Sequence, residues 1–249
     1  MDRTRIFSAH ATPEDSLLAR KAFLLSLAIT GIYLLVGFKW FFTLMFSSLL
    51  TEWQLLLFWP IYRYSIAACL FFFVPWLAWC KKNGIAIKEL GWQWGSVKLG
   101  AILSVIGAVA LVGVGFSVAA DPSFKEVYPM ARAFIYPYQF NLAGFIVMDV
   151  LYVVLYYFPY EFFFRGFAQF PLTNKGKVRA TWVILYTTAI TTALHWDVPT
   201  TELISAFAIG FIFGIAALKS NSIWYGLIFH IGTGLINDIV CLFLIQGWI

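Results

Sequence analysis

Long apolar runs, each closed by a short polar or basic cluster, recur along the chain from Ala22 to Gln246. A helix that crosses a bilayer needs about 20 mainly apolar residues, and these runs have that length. The pattern predicts a first span over Ala22–Phe38, a second over Tyr64–Trp79 and a third over Val97–Ala119. A fourth is expected over Asn141–Phe170, a fifth over Ala180–His195, a sixth over Leu203–Leu218 and a seventh over Ile223–Gln246. An eighth membrane element is expected if Phe41–Trp59 forms a re-entrant piece. Between spans lie Lys81-Lys82-Asn83-Gly84, the connector 85–96, the mixed loop 120–140, the basic loop Thr173–Arg179, and the turns Asp197–Thr200 and Lys219–Asn221.

The short alternating strands of a β-barrel are absent from the pattern. The expected fold class is therefore all-α, a polytopic transmembrane helical bundle. Residues 1–21 read as a polar N-terminal tail, and 22–249 as a single membrane domain. The first apolar run has no A-x-A site behind it, so it is expected to be retained rather than cleaved.

Composition agrees: 61% of the 249 residues are apolar and only 12% charged, against about half and a quarter in soluble domains. The net charge of +5 is spread over several loops and forms no basic stripe, which excludes a nucleic-acid partner. Counting Lys and Arg by loop places the N-terminus inside and the C-terminus outside. Cys69, Cys80 and Cys241 are scattered, have no metal-ligand spacing and read as small buried hydrophobes.

Candidate chemistry is concentrated in a few costly residues. Glu161 and Arg165 lie four apart in Phe158-Pro159-Tyr160-Glu161-Phe162-Phe163-Phe164-Arg165-Gly166-Phe167, so a helix puts them on one face, acid first. Ionisable groups in hydrocarbon cost about 2.5–3.5 kcal/mol by insertion scales, which marks them as functional candidates. Pro159 removes a helix N–H and predicts a loosened turn and a polar pocket. His195 closes the fifth span, and His230 lies inside the seventh. Asn237 shares nearly the face of His230, and Asp238 is about 80° away, so either could hold the imidazole. The residues alone also permit a buried ion pair that only locks helices, or a proton path through Asp149, Glu161 and Asp238. No broken-helix repeat supports a transporter.

One Glu, one Arg and two His on three spans suit water attack on a peptide bond. The carboxylate takes the water's proton, and the imidazoles and guanidinium stabilise the oxyanion. Two His and one carboxylate (Glu161, His195, His230) could instead hold zinc. That option is disfavoured, because Arg165 would compete with the metal for Glu161.

Residues 140–240 resemble the CPBP family of intramembrane proteases, also called the Abi or type II CAAX prenyl protease family. Its E-E-x-x-x-R-G motif is similar to Tyr160-Glu161-Phe162-Phe163-Phe164-Arg165-Gly166. Its F-x-x-x-H motif is similar to Thr191-Thr192-Ala193-Leu194-His195, and H-x-x-x-N/D to His230-Ile231-Gly232-Thr233-Gly234. Lys88-Glu89-Leu90-Gly91 before the third span also fits. The resemblance implies a bundle, its core in residues 140–247, with a water-filled cavity, that cleaves membrane-associated peptides; from the residues, no cofactor is expected. It implies Glu161, Arg165, His195 and His230 as catalytic residues. Tyr160 stands at the family's base position, able to donate a hydrogen bond, and Gly234 stands at the amide position, which Asn237 or Asp238 would cover. The expected partners are a membrane-anchored protein or peptide and the bilayer. The expected location is the plasma (inner) membrane of a prokaryote. Tyr160 and Gly234 also motivate an alternative, a non-catalytic relative acting in peptide binding, regulation or bacteriocin immunity.

Overall fold

The computed structural model describes residues 12–135 and 140–248. It is an all-α bundle of eight principal helices: α1 Pro13–Val36, α2 Lys39–Phe46, α3 Glu52–Lys81, α4 Val97–Ala120, α5 Leu142–Lys175, α6 Ala180–Ala193, α7 Thr200–Ser220 and α8 Trp224–Gln246. Among the described residues six helices are long and apolar enough to cross a membrane. The chain is an integral membrane protein.

Three boundaries differ from the sequence expectation. The aromatic segment Trp53–Trp59 is the first part of α3, because Thr51 caps the helix and Pro60 is tolerated inside it. Residues 41–59 are thus shared between α2 and α3, with a break at residues 47–51. The fifth expected span is α6, with only 14 residues. At 1.5 Å per residue that is roughly 21 Å, short of a ~30 Å hydrocarbon core. The helix therefore ends inside the bundle, and the residues that follow it, Leu194 and His195, are delivered to the interior. The expected tail also changes character, since α1 already begins at Pro13, capped by Thr12. Residues 1–11, 136–139 and 249 lie outside the described part.

α5 is the axis. Phe162, Phe163, Phe164 and Phe167 are fully buried, and Phe71 of α3 stacks on Phe163 with centroids 4.9 Å apart. The large aromatic area of this segment supplies both core and shape complementarity. The Gly of the first motif has a packing reason: a Cβ on Gly166 would lie 2.9 Å from the Leu90 carbonyl oxygen. Only a glycine lets the connector Ile87–Leu90 sit that close.

The two ends differ in charge. Asp15–Lys175 (3.2 Å), Trp79 Nε1 to the Leu18 carbonyl (3.3 Å) and Ser96 N–H to the Ser220 carbonyl (2.8 Å) gather the basic loops at one end. At the other, Tyr62 O–H donates to the Val36 carbonyl (2.8 Å) and Thr201 O–H to Asp121 (2.8 Å).

Candidate active site

The local conformation of α5 explains how Glu161 reaches its partners. Turns widened to π-helical geometry run over Val153–Tyr157 and Phe162–Phe167, on either side of Pro159-Tyr160-Glu161. The Phe158 N–H bonds the Val153 carbonyl, five residues back, and the Ala168 N–H bonds that of Phe163. Such bulges relieve the i→i−4 ladder where proline interrupts it, and they re-aim side chains.

Glu161 Oε1 lies 2.8 Å from His230 Nδ1 on α8, and Glu161 Oε2 lies 3.6 Å from Arg165 Nε. Glu161 is fully buried, and Arg165 is 2% exposed. The ion pair is not closed by a good hydrogen bond: Glu161 Oε2, Arg165 Nε and Arg165 Nη1 all lack partners. Arg165 also lies over the face of Phe213, 6.0 Å from its centroid.

His195 is held differently. Its Nδ1 is 2.8 Å from the Thr191 carbonyl oxygen, four residues earlier. The x-x-x spacing of the second motif is therefore the single turn that ties the ring to its own backbone. Tyr160 stands between the imidazoles, with centroids 5.3 Å from His230 and 6.5 Å from His195.

A cavity of about 420 Å³ is lined by Tyr160, Glu161, Arg165, His195, His230 and Asn237. Small residues of α4 and α7, including Gly113, Ser205, Ala206 and Gly210, also line it. That volume is in the range of small-ligand sites. Asn237 joins the lining with its Oδ1 unpartnered. Asp238, 1% exposed, is not part of that lining. The acid that holds the His230 ring is Glu161, rather than either residue of the Asn237-Asp238 pair. Among the described residues no three His, Cys, Asp or Glu side chains group as metal ligands.

Residues 142–236 match a family model described as type II CAAX prenyl endopeptidase Rce1-like. Over this segment the chain is similar to the Rce1-like family. The family is one of membrane proteases, and the matched segment contains Glu161, Arg165, His195 and His230. No curated protein and no solved structure matches the chain significantly.

Within the Rce1-like segment, Gly234 has a structural reason that the sequence did not reveal. A Cβ there would run into the Tyr157 hydroxyl. The Tyr157 ring also packs on His230, with centroids 4.5 Å apart. The space that an amide side chain would take is filled from α5 by a phenol. Tyr157 and Thr191 were missed by sequence reasoning. The signals in the sequence are that Tyr157 sits beside Tyr152, Tyr156 and Tyr160, which recur every four residues, and that Thr191 opens the second motif.

Proposed function

We propose that this protein is an intramembrane endopeptidase that hydrolyses a peptide bond of a membrane-anchored protein or peptide. The observation that carries the reading is the 2.8 Å contact between Glu161 Oε1 and His230 Nδ1 on the wall of a cavity inside an apolar bundle. A carboxylate that accepts the Nδ1–H fixes the tautomer and leaves Nε2 to receive a proton. Glu161 and His230 then act as one proton-accepting unit for a water molecule. The unpartnered N–H groups of Arg165 and the phenol of Tyr160 supply donors for the oxyanion that forms when the water adds. A dry surrounding strengthens these interactions. His195, anchored to the Thr191 carbonyl, offers its other nitrogen to the same space. The protein's own side chains supply each of these roles, so no metal is required.

The substrate reaches the cavity past the small residues of α4 and α7. A peptide backbone approaches most closely where side chains are smallest. The basic end, with Lys81, Lys82, Lys175, Lys177, Arg179 and Lys219, faces the cytoplasm by the positive-inside rule, with the C-terminus outside.

The test is cleavage of a panel of transmembrane and lipidated peptides by the purified protein in proteoliposomes. The wild type is expected to cleave at least one, and Glu161→Gln and His230→Ala none, with both variants still folded in detergent by circular dichroism. A Glu161→Gln protein that cleaves at the wild-type rate would overturn the assignment.

A further inference from the structure

The pairing of Glu161 with His230 leaves a second cavity carboxylate unexplained. Glu202 stands in the first turn of α7 and lines the main cavity. Its Oε1 accepts a hydrogen bond from the Tyr128 hydroxyl at 2.8 Å. Its Oε2 is sealed from bulk solvent and has no partner. A carboxyl group clamped at one oxygen and free at the other is oriented, and its free atom is available for chemistry.

Behind the main cavity lies a smaller chamber of about 40 Å³. One water needs about 10–15 Å³ of such space, so this chamber has room for a few. Its lining includes Glu202, His195, His230, Tyr160, Asn237 and Arg63, and all but Arg63 also line the main cavity. Glu161 is not in the chamber lining, so the acid on this wall is Glu202. The Arg63 guanidinium hydrogen-bonds the hydroxyls of Tyr33 (3.4 Å) and Tyr156 (3.2 Å). It thus faces the chamber with a positive charge held by phenols.

We infer that Glu202 is a further catalytic residue, the acid that protonates the departing amine. This rests on the peptidase reading above. The step balances as follows. Water gives a proton to His230 Nε2 as its oxygen bonds to the peptide carbonyl carbon. The C–N bond then breaks, and its electron pair takes the proton of the Glu202 carboxyl at Oε2. The products are a carboxylic acid and an amine. The proton on His230 returns to Glu202 through the chamber that both line. Tyr160 occupies the place of one acid in the first motif, and α7 delivers Glu202 to the same space. Tyr128 is a positioning residue that aims the carboxyl.

The experiment compares two membrane-anchored probes with the same acyl part in proteoliposomes, one a peptide amide and the other a 4-nitrophenyl ester. A nitrophenolate leaves without a proton, whereas an amine does not. Glu202→Gln is expected to lower amide turnover on the order of 10²–10⁴-fold, the range of general acid catalysis, and ester turnover by less than about tenfold. Tyr128→Phe is expected to give a smaller loss with the same amide selectivity. Equal losses on both probes, or full amide turnover by Glu202→Gln, would overturn the role while leaving the peptidase reading intact. A wild type that turns over neither probe would remove the peptidase reading and this role with it.

Discussion

The cavity has two walls built on different principles. On the α5–α8 wall, ionisable groups hold one another: Glu161 meets His230 at 2.8 Å and faces Arg165 at 3.6 Å. On the α6–α7 wall, they are held by uncharged neighbours: His195 by the Thr191 carbonyl and Glu202 by the Tyr128 hydroxyl. The first wall is set before any substrate arrives, and breaking it strands a buried charge. The second keeps free atoms turned toward the cavity, and breaking it removes chemistry with little structural cost. Substitutions on the first wall should therefore affect stability and turnover together. Those on the second should affect turnover almost alone.

The largest effect is expected from Glu161→Gln, which removes the partner of His230 and should lower peptide turnover by about 10⁴-fold in a proteoliposome assay, the upper end for proton-transfer groups. Arg165→Ala comes next. It leaves the Glu161 charge without its cation and should cost about 3–5 kcal/mol, read as a drop in melting temperature in detergent. His195→Ala sharpens the contrast: turnover should fall about 10²-fold, but stability by only about 1 kcal/mol, one neutral hydrogen bond. The smallest effect is expected at Gly234→Ala, where the added methyl meets Tyr157 and overpacking should cost about 1–3 kcal/mol. Adding Tyr157→Ala should recover part of that loss. Comparable stability losses for Arg165→Ala and His195→Ala would erase the distinction between the walls.

The fold was legible because hydrocarbon imposes its own pattern. Spans such as Val97–Ala119 and Ile223–Gln246 agree with α4 and α8 almost residue for residue. The misplaced boundary at α3 has a physical cause: Trp and Tyr suit both an interface and a buried helix, so Trp53–Trp59 carried no edge signal. The 14-residue α6 read as a full span because its apolar run continues to Leu194, beyond the last helical residue. Glu161, Arg165, His195 and His230 stood out as expensive residues in apolar text, and the structure lines one cavity with all four. Glu202 did not stand out. It lies two residues past the Asp197–Thr200 turn, and only the fold of residues 120–135 brings Tyr128 to it. Tyr157 was hidden for a similar reason, because nothing in a tyrosine reports that a distant glycine has made room for it.

The most direct test of the central claim is hydrolysis in ¹⁸O-labelled water, followed by mass spectrometry of the products from a membrane-anchored peptide. The account predicts one ¹⁸O in the new C-terminal carboxylate with the wild type and intact peptide with Glu161→Gln. Labelled product formed at an undiminished rate by Glu161→Gln, or no cleavage of any membrane peptide by the wild type, would contradict it.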